Sequence, residues 1–97
     1  EGTMETSNHP TICYRIYTED KQENAVMKAV SEFCSGFTVY RECLGYWEGV
    51  QEHALIVEYL GHDYDLSRIK TLASVIKNVN EQQTVLLTYH PVTVVIV

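Results

Sequence analysis

Apolar and polar positions alternate with a period of two along Ile12 to Thr18, where Ile12, Tyr14 and Ile16 fall on one side and Cys13, Arg15 and Tyr17 on the other. Rich in β-branched and aromatic residues, that run predicts a first strand. The period then changes. Asp20, with Glu23 three places on, reads as a capping box, and Val26, Ala29, Val30 and Phe33 recur at helical spacing until Gly36 stops the helix. Phe37–Cys43 and His53–Leu60 are two further strand-like runs joined by Leu44–Gln51, which carries Gly45 and Gly49, so a hairpin is expected. Asp63 and Asp65 offer N-caps to a second amphipathic helix marked by Leu66, Ile69, Leu72, Ala73, Ile76 and Val79 and ending near Asn80. Thr84–Tyr89 is the fourth strand, Pro91 interrupts it, and Val92–Val97 reads as an extra, C-terminal strand.

Strand, helix, hairpin, helix, strand is the split β-α-β order, so the expected fold is an α+β, ferredoxin-like β-α-β-β-α-β sandwich with both helices on one face of an antiparallel sheet. The other face should then be polar, and the sequence does not make it so. Leu55, Val57 and Tyr59 are apolar on one side, yet Ala54 and Ile56 are apolar on the other, and Leu86 answers Val85 and Leu87 in the same way. Each such side chain gains about 1.5–3 kcal/mol on burial, so a cover for the second face is expected. The run VTVVIV adds an uncharged apolar edge, which aggregates unless it pairs. A homo-oligomer follows, with a trimer the expected state; the alternative is that the run folds back as a fifth strand of its own sheet.

At 97 residues the chain has room for one core, and 45% apolar with 21% charged residues excludes a disordered or collagen-like class. Residues 11–97 are taken as the single domain. Residues 1–10 are set apart, Glu1–Thr3 before Met4 as a vector remnant and the remainder as a polar N-terminal arm. The net charge of -6 comes from scattered acids with no basic stripe, which argues against a nucleic-acid partner. No apolar run is long enough to span a bilayer and no leader pattern opens the chain, so no membrane association is expected. Cys13, Cys34 and Cys43 show no paired spacing; reduced thiols and a cytoplasmic location are expected.

Candidate chemistry gathers in Gly36–Glu52, where Tyr40, Tyr46, the single tryptophan Trp47 and Glu52 surround one hairpin. Aromatic rings at a hairpin tip can cap an apolar ligand or stack on a purine, and a carboxylate can accept from an amine or a ribose hydroxyl. The competing reading has Trp47 packed against the helices or a neighbouring subunit. Arg15, on the sheet face opposite the core, could pair with an anionic group. Glu52 is the one residue nominated for catalysis, if any occurs, since a partly buried carboxylate can be raised toward neutrality; it could equally be a surface ion-pair member. His9, His53, His62 and His90 share no metal-ligand spacing, so neither a metal nor a cofactor is expected. Cys34 lies near a helix C-terminus, where the dipole raises a thiol pKa, and Cys43 reads as core or interface filler.

Gly36-Phe37-Thr38, then Gly45-Tyr46-Trp47, then Glu52 opening the next strand, and finally Glu81 to Leu86 (EQQTVL) resemble the pattern of small PII-like and related ferredoxin-like oligomeric proteins. The chain is also similar at two points to the phage S-adenosylmethionine lyases. One is a glycine-aromatic hairpin followed by a strand-opening Glu; the other is an E-Q-x-x-V-L strand start matched by Glu81, Gln82, Val85 and Leu86. In those enzymes a Tyr and a Glu in an intersubunit cleft carry the site; here Trp47 stands where that Tyr falls, with Tyr46 beside it. The resemblance implies a PII-like oligomer that holds a nucleotide-like or anionic metabolite in clefts between subunits, near Tyr40, Tyr46, Trp47, Glu52 and Arg15. Two alternatives stand beside it: a lyase that degrades S-adenosylmethionine, and a structural or interaction protein of a mobile element.

Overall fold

The computed structural model describes residues 10–97. The N-terminal arm expected over residues 1–10 therefore lies, apart from Pro10, outside the described residues. The element order is β1 (Thr11–Glu19), α1 (Glu23–Phe33), β2 (Thr38–Trp47), β3 (Val50–His62), a 3-10 turn (Asp63–Asp65), α2 (Leu66–Val79) and β4 (Leu86–Pro91). All strand pairs are antiparallel and the sheet runs β2-β3-β1-β4. This is the ferredoxin-like α+β arrangement, as the alternation of periods implied.

The pleat divides the sheet into two faces, with Cys13 the one residue of β1 buried on the face away from the helices. Tyr14, Ile16 and Thr18 of β1 pair across with Tyr59, Val57 and Leu55 of β3 and join the buried cluster. Val26, Ala29 and Val30 of α1, and Ile69, Leu72 and Ile76 of α2, complete that cluster at helical spacing. Tyr14 lies at its centre, its ring 6.2 Å from that of Tyr59 and 5.9 Å from that of Tyr89, with its hydroxyl donating to the His62 carbonyl. The opposite face carries Cys13, Arg15, Tyr17, Ala54, Ile56, Glu58, Leu60 and Leu86, and no helix of the protomer covers it. Leu60 is 48% and Leu86 55% exposed there, so the two-sided apolar sheet read from the sequence is present and open.

Several local expectations are corrected. The Asp20 capping box does not form, because α1 begins at Glu23 behind Gln22 in a left-handed conformation (φ 55°) with no side-chain cap. Asp20 and Glu23 instead take the Arg41 guanidinium at 3.1 and 3.0 Å, so the ion pair to β2 wins over the cap. The helix ends at Phe33, ahead of Gly36. The hairpin is longer than expected: only Glu48 and Gly49 lie outside the strands, and both have positive φ (50° and 80°), the signature of a two-residue primed turn. Pro91 ends β4 rather than interrupting it.

The extra C-terminal strand does not form within the protomer. After β4, the Val92 amide donates to the Thr11 carbonyl at 3.0 Å, and residues 92–97 join no ladder in the chain. Val95 and Ile96 are 75% and 93% exposed, so the fold-back alternative is not what the protomer shows.

A bulge interrupts β2. Tyr40 pairs with Ile56 and Cys43 with Ala54, so three steps on β2 face two on β3, with Glu42 at φ 59°.

The junction of β3 and α2 is held by polar groups. Asp65, 8% exposed, accepts from the His62 amide at 2.9 Å and from Arg68 at 3.0 Å. Arg68 also reaches the Tyr59 hydroxyl and the Phe33 carbonyl at the end of α1, with its guanidinium 5.4 Å from the Tyr59 ring. Gly61 is required beneath them, since a Cβ there would stand 2.4 Å from the Tyr59 ring and 2.6 Å from Asp65 Oδ2.

Candidate functional site

On the open side of the sheet the hairpin forms one wall of a groove of about 620 Å³. The second wall comes from the end of β1 and from residues 81–86 leading into β4. Alternation past the bulge sends the side chains of Cys43 and Trp47 to this side, with Gly45 between them in the ladder, opposite Ala54, Val50 and Glu52 respectively. Tyr17, Ile56, Trp47 and Leu86 make the apolar lining, and Glu19, Glu48, Glu52 and Glu81 make the charged one. Among the described residues no lysine or arginine lines it.

Glu52 and Glu19 sit diagonally across the β1–β3 ladder, on the same face of the sheet. The neighbouring Glu19 carboxyl, with partial desolvation and the Glu19 charge behind it, raises the Glu52 carboxyl above its ordinary value, while Lys21 opposes the rise. Lys21 is itself 3.2 Å from Glu19.

The far wall is built by the end of α2. Glu81 donates its amide to the Asn78 carbonyl (3.1 Å) and Gln82 donates to that of Lys77 (2.9 Å), the two reversed bonds of a Schellman close, with Glu81 in the left-handed position at φ 54°. This turn brings Gln82 back onto β1. Its Oε1 accepts from the Thr18 hydroxyl, from the Glu19 amide at 3.3 Å and from Asn80 Nδ2 at 3.3 Å. With the acceptor so occupied, the amide orientation is fixed and Nε2 is the free donor end, in a long 3.4 Å bond to the Thr84 carbonyl. Asn80 is 1% exposed and donates also to Thr18 Oγ1 (2.8 Å) and the Glu19 carbonyl (3.0 Å). Its Oδ1, buried below this wall, has no hydrogen-bond partner among the described residues.

The residues singled out from the sequence divide into two sets. Trp47, Glu52 and Tyr46 border the groove, although Tyr46 leaves the hairpin on the reverse side and donates to Gln51 Oε1 at 2.9 Å. Arg15 and Tyr40 lie elsewhere on the same sheet face, both on Glu58: Arg15 Nε at 2.8 Å and the Tyr40 hydroxyl at 3.4 Å. Trp47 is 52% exposed, so it is not packed against the helices of its own protomer. Cys34 is buried at the C-cap of α1 and its pKa is raised, by desolvation first. Sequence reasoning missed Tyr17, Glu19 and Gln82 as groove residues. Glu19 could have been found from the strand register, whereas Gln82 needed the three-dimensional close of α2. Among the described residues no cluster of three or more His, Cys, Asp or Glu is placed to hold a metal, and no helix is long and apolar enough to cross a membrane.

The sequence matches no family model and no curated protein significantly. Solved structures do match in fold. A DUF3240 family protein from Shewanella baltica is similar with a TM-score of 0.65 at 12% identity, over 86% of this chain and 90% of that one. CPII, a nitrogen regulatory PII-like protein from Thiomonas intermedia, solved with ADP, AMP and bicarbonate bound, gives 0.64 at 13% identity over 88% and 92%. CutA1 from Oryza sativa gives 0.59 at 15% over 87% and 81%. None of these three is named as an S-adenosylmethionine lyase. At this level of identity the likeness establishes architecture: the chain has the PII-like form of the ferredoxin-like fold.

Proposed function

We propose that this chain is a self-associating PII-like protein that holds a small, nucleoside-like ligand in the hairpin groove, at what becomes a cleft between subunits. The observation that carries the reading is the groove itself: about 620 Å³, the size of a small-molecule site, walled by aromatic and aliphatic side chains with a few fixed polar groups. Its position on the uncovered apolar face of the sheet ties it to assembly. Covering Leu60, Leu86 and the exposed tail with copies of the same chain would deepen the groove into a cleft. A trimer is the assembly we favour. The fold shared with CPII, which binds ADP and AMP, supports a base-stacking ligand, and Trp47 is the ring on which a base would lie. Of the two ligand classes expected from the sequence, the anionic one draws less support, because Arg15 is engaged by Glu58 and glutamates line the groove. Free thiols at Cys13, Cys34 and Cys43 fit a reducing, cytoplasmic setting.

Two measurements test this. Light scattering after size exclusion should return a multiple of the 11.1 kDa protomer. Titration with a panel of nucleosides and nucleotides should quench or enhance Trp47 fluorescence, and Glu52→Ala should weaken the response. A monodisperse monomer at micromolar concentration, or a flat titration with every member of the panel, refutes the reading.

A lyase acting on S-adenosylmethionine is the second reading. The raised Glu52 carboxyl favours it, since that group is a better proton acceptor than an ordinary carboxylate. Methylthioadenosine should then appear on incubation of the assembled protein with S-adenosylmethionine.

A further inference from the structure

The groove has a direction: an apolar, aromatic wall along Tyr17, Ile56 and Trp47, and an acidic side where the Glu19 and Glu52 carboxylates meet. The cations of the neighbourhood are already spent. Arg15 is bound to Glu58, Arg41 to Asp20 and Glu23, and Lys21 to the edge of Glu19, so none is presented to a ligand as a partner for a negative group. Four glutamates against no lining base give the cavity a negative field, and its partly enclosed apolar walls strengthen that field over the value at an open surface. Across the cavity the fixed Gln82 supplies a neutral donor, held from beneath by the buried Asn80, whose own Oδ1 is still without a partner.

We propose that the groove selects organic cations, taking a flat body along Trp47 and Tyr17 and a positively charged group between the carboxylates of Glu19 and Glu52. The inference rests on the reading of the groove as a ligand site and adds the charge of what enters. Trp47 contributes a second attraction, because the face of an indole ring is the strongest aromatic partner for a positive charge. Gln82 meets a hydroxyl or ring nitrogen on the body of the ligand and leaves the charge selection to the glutamates.

The test uses three molecules that share a nucleoside body and differ in charge at one position: 5′-amino-5′-deoxyadenosine (cation), adenosine (neutral) and adenosine 5′-monophosphate (anion). Each is titrated into the full chain by calorimetry, with the Trp47 indole N–H resonance followed in parallel. The cation should bind about fivefold tighter than adenosine, as expected of one ligand charge meeting two partly solvated carboxylates, and the monophosphate should bind weakest. In the Glu19→Gln, Glu52→Gln double variant, which keeps the shapes of both side chains, the three affinities should converge to within about twofold. Equal or tighter binding of the monophosphate overturns the charge selection while leaving the groove as a ligand site. A ranking that survives unchanged in the double variant overturns it too. If none of the three binds, the groove reading and the charge selection fall together.

Discussion

Among the described residues, four other than glycine sit at positive φ: Gln22, Glu42, Glu48 and Glu81. An L-residue in that region costs about 1–2 kcal/mol relative to the right-handed one, and glycine is the usual solution. Two of the four, Glu48 and Glu81, line the groove, in a tight turn and at a helix close where glycine or asparagine would be expected. Strain retained at a site is a pointer to use. Glu81→Gly should therefore stabilise the fold by about 0.5–1 kcal/mol, the relief of strain less the added freedom of the unfolded chain, read as an upward shift of the urea midpoint. An unchanged or lower midpoint would show that Glu81 is not strained where it stands. Residue-level reading of the sequence was weakest at these places. Asp20 and Glu23 have the spacing of a capping box, but spacing says nothing about Arg41 arriving from another strand to claim both carboxylates.

At the scale of elements, the 3-10 turn, α2 and the end of α1 are tied by Asp65 and Arg68. Burial works to raise the Asp65 carboxyl, but the His62 amide and the Arg68 guanidinium outweigh it and hold the pKa below the ordinary 3.8. A carboxyl lowered by folding gives stability that is fully present above the unfolded value and is lost as pH falls through the folded one. Wild type and Asp65→Asn should accordingly differ at neutral pH by about 1–2 kcal/mol, a modest figure because Arg68 is partly exposed, and the gap should close on acidification below pH 3.8. Urea denaturation at a series of pH values measures it; a gap that is the same at pH 2 and pH 7 removes the charge from the explanation. The elements themselves were legible, because Ile69, Leu72 and Ile76 on α2 and Tyr14 and Ile16 on β1 follow their periods without exception. Strand ends were not. The hairpin was read with a loop over Leu44–Gln51 because glycines at Gly45 and Gly49 look alike in sequence; only Gly49 turns the chain, while Gly45 sits in the ladder opposite Glu52.

For the whole molecule the decisive feature is what the protomer leaves uncovered. The structure measures 53 × 24 × 20 Å along its principal axes, and β3 alone, at about 3.3 Å per residue over 13 residues, accounts for roughly 43 Å of the length. Such a shape exposes edges. The tail carries Val94 to Val97 outside any ladder, at exposures that rise toward its end. A chain ended at Pro91 keeps all four strands of the sheet and both helices, so it should remain folded by circular dichroism while its mass in light scattering falls to that of one protomer. Retention of the full assembly by the shortened chain would relocate the contact to the sheet face alone. The uncovered apolar face was legible in the sequence, because alternation fails on β3 and β4, whereas the groove was not. Glu19, Trp47 and Gln82 are far apart in the chain and meet only when the hairpin, the end of β1 and the close of α2 are assembled.

The bulge at Arg41 and Glu42 settles which aromatic ring the groove receives. Tyr40 and Trp47 are an odd number of positions apart, and an unbroken pleat would send them to opposite sides; the single supernumerary residue restores parity and places both on the same one. The distal hairpin thus behaves as a cassette whose phase is set at its base. It can be lengthened or shortened at its tip by two residues on each arm, four in all, which keeps a hydrogen-bonded pair beside the two-residue turn, and the site's wall grows or shrinks by two cross-strand rungs while every side chain below keeps its bearing.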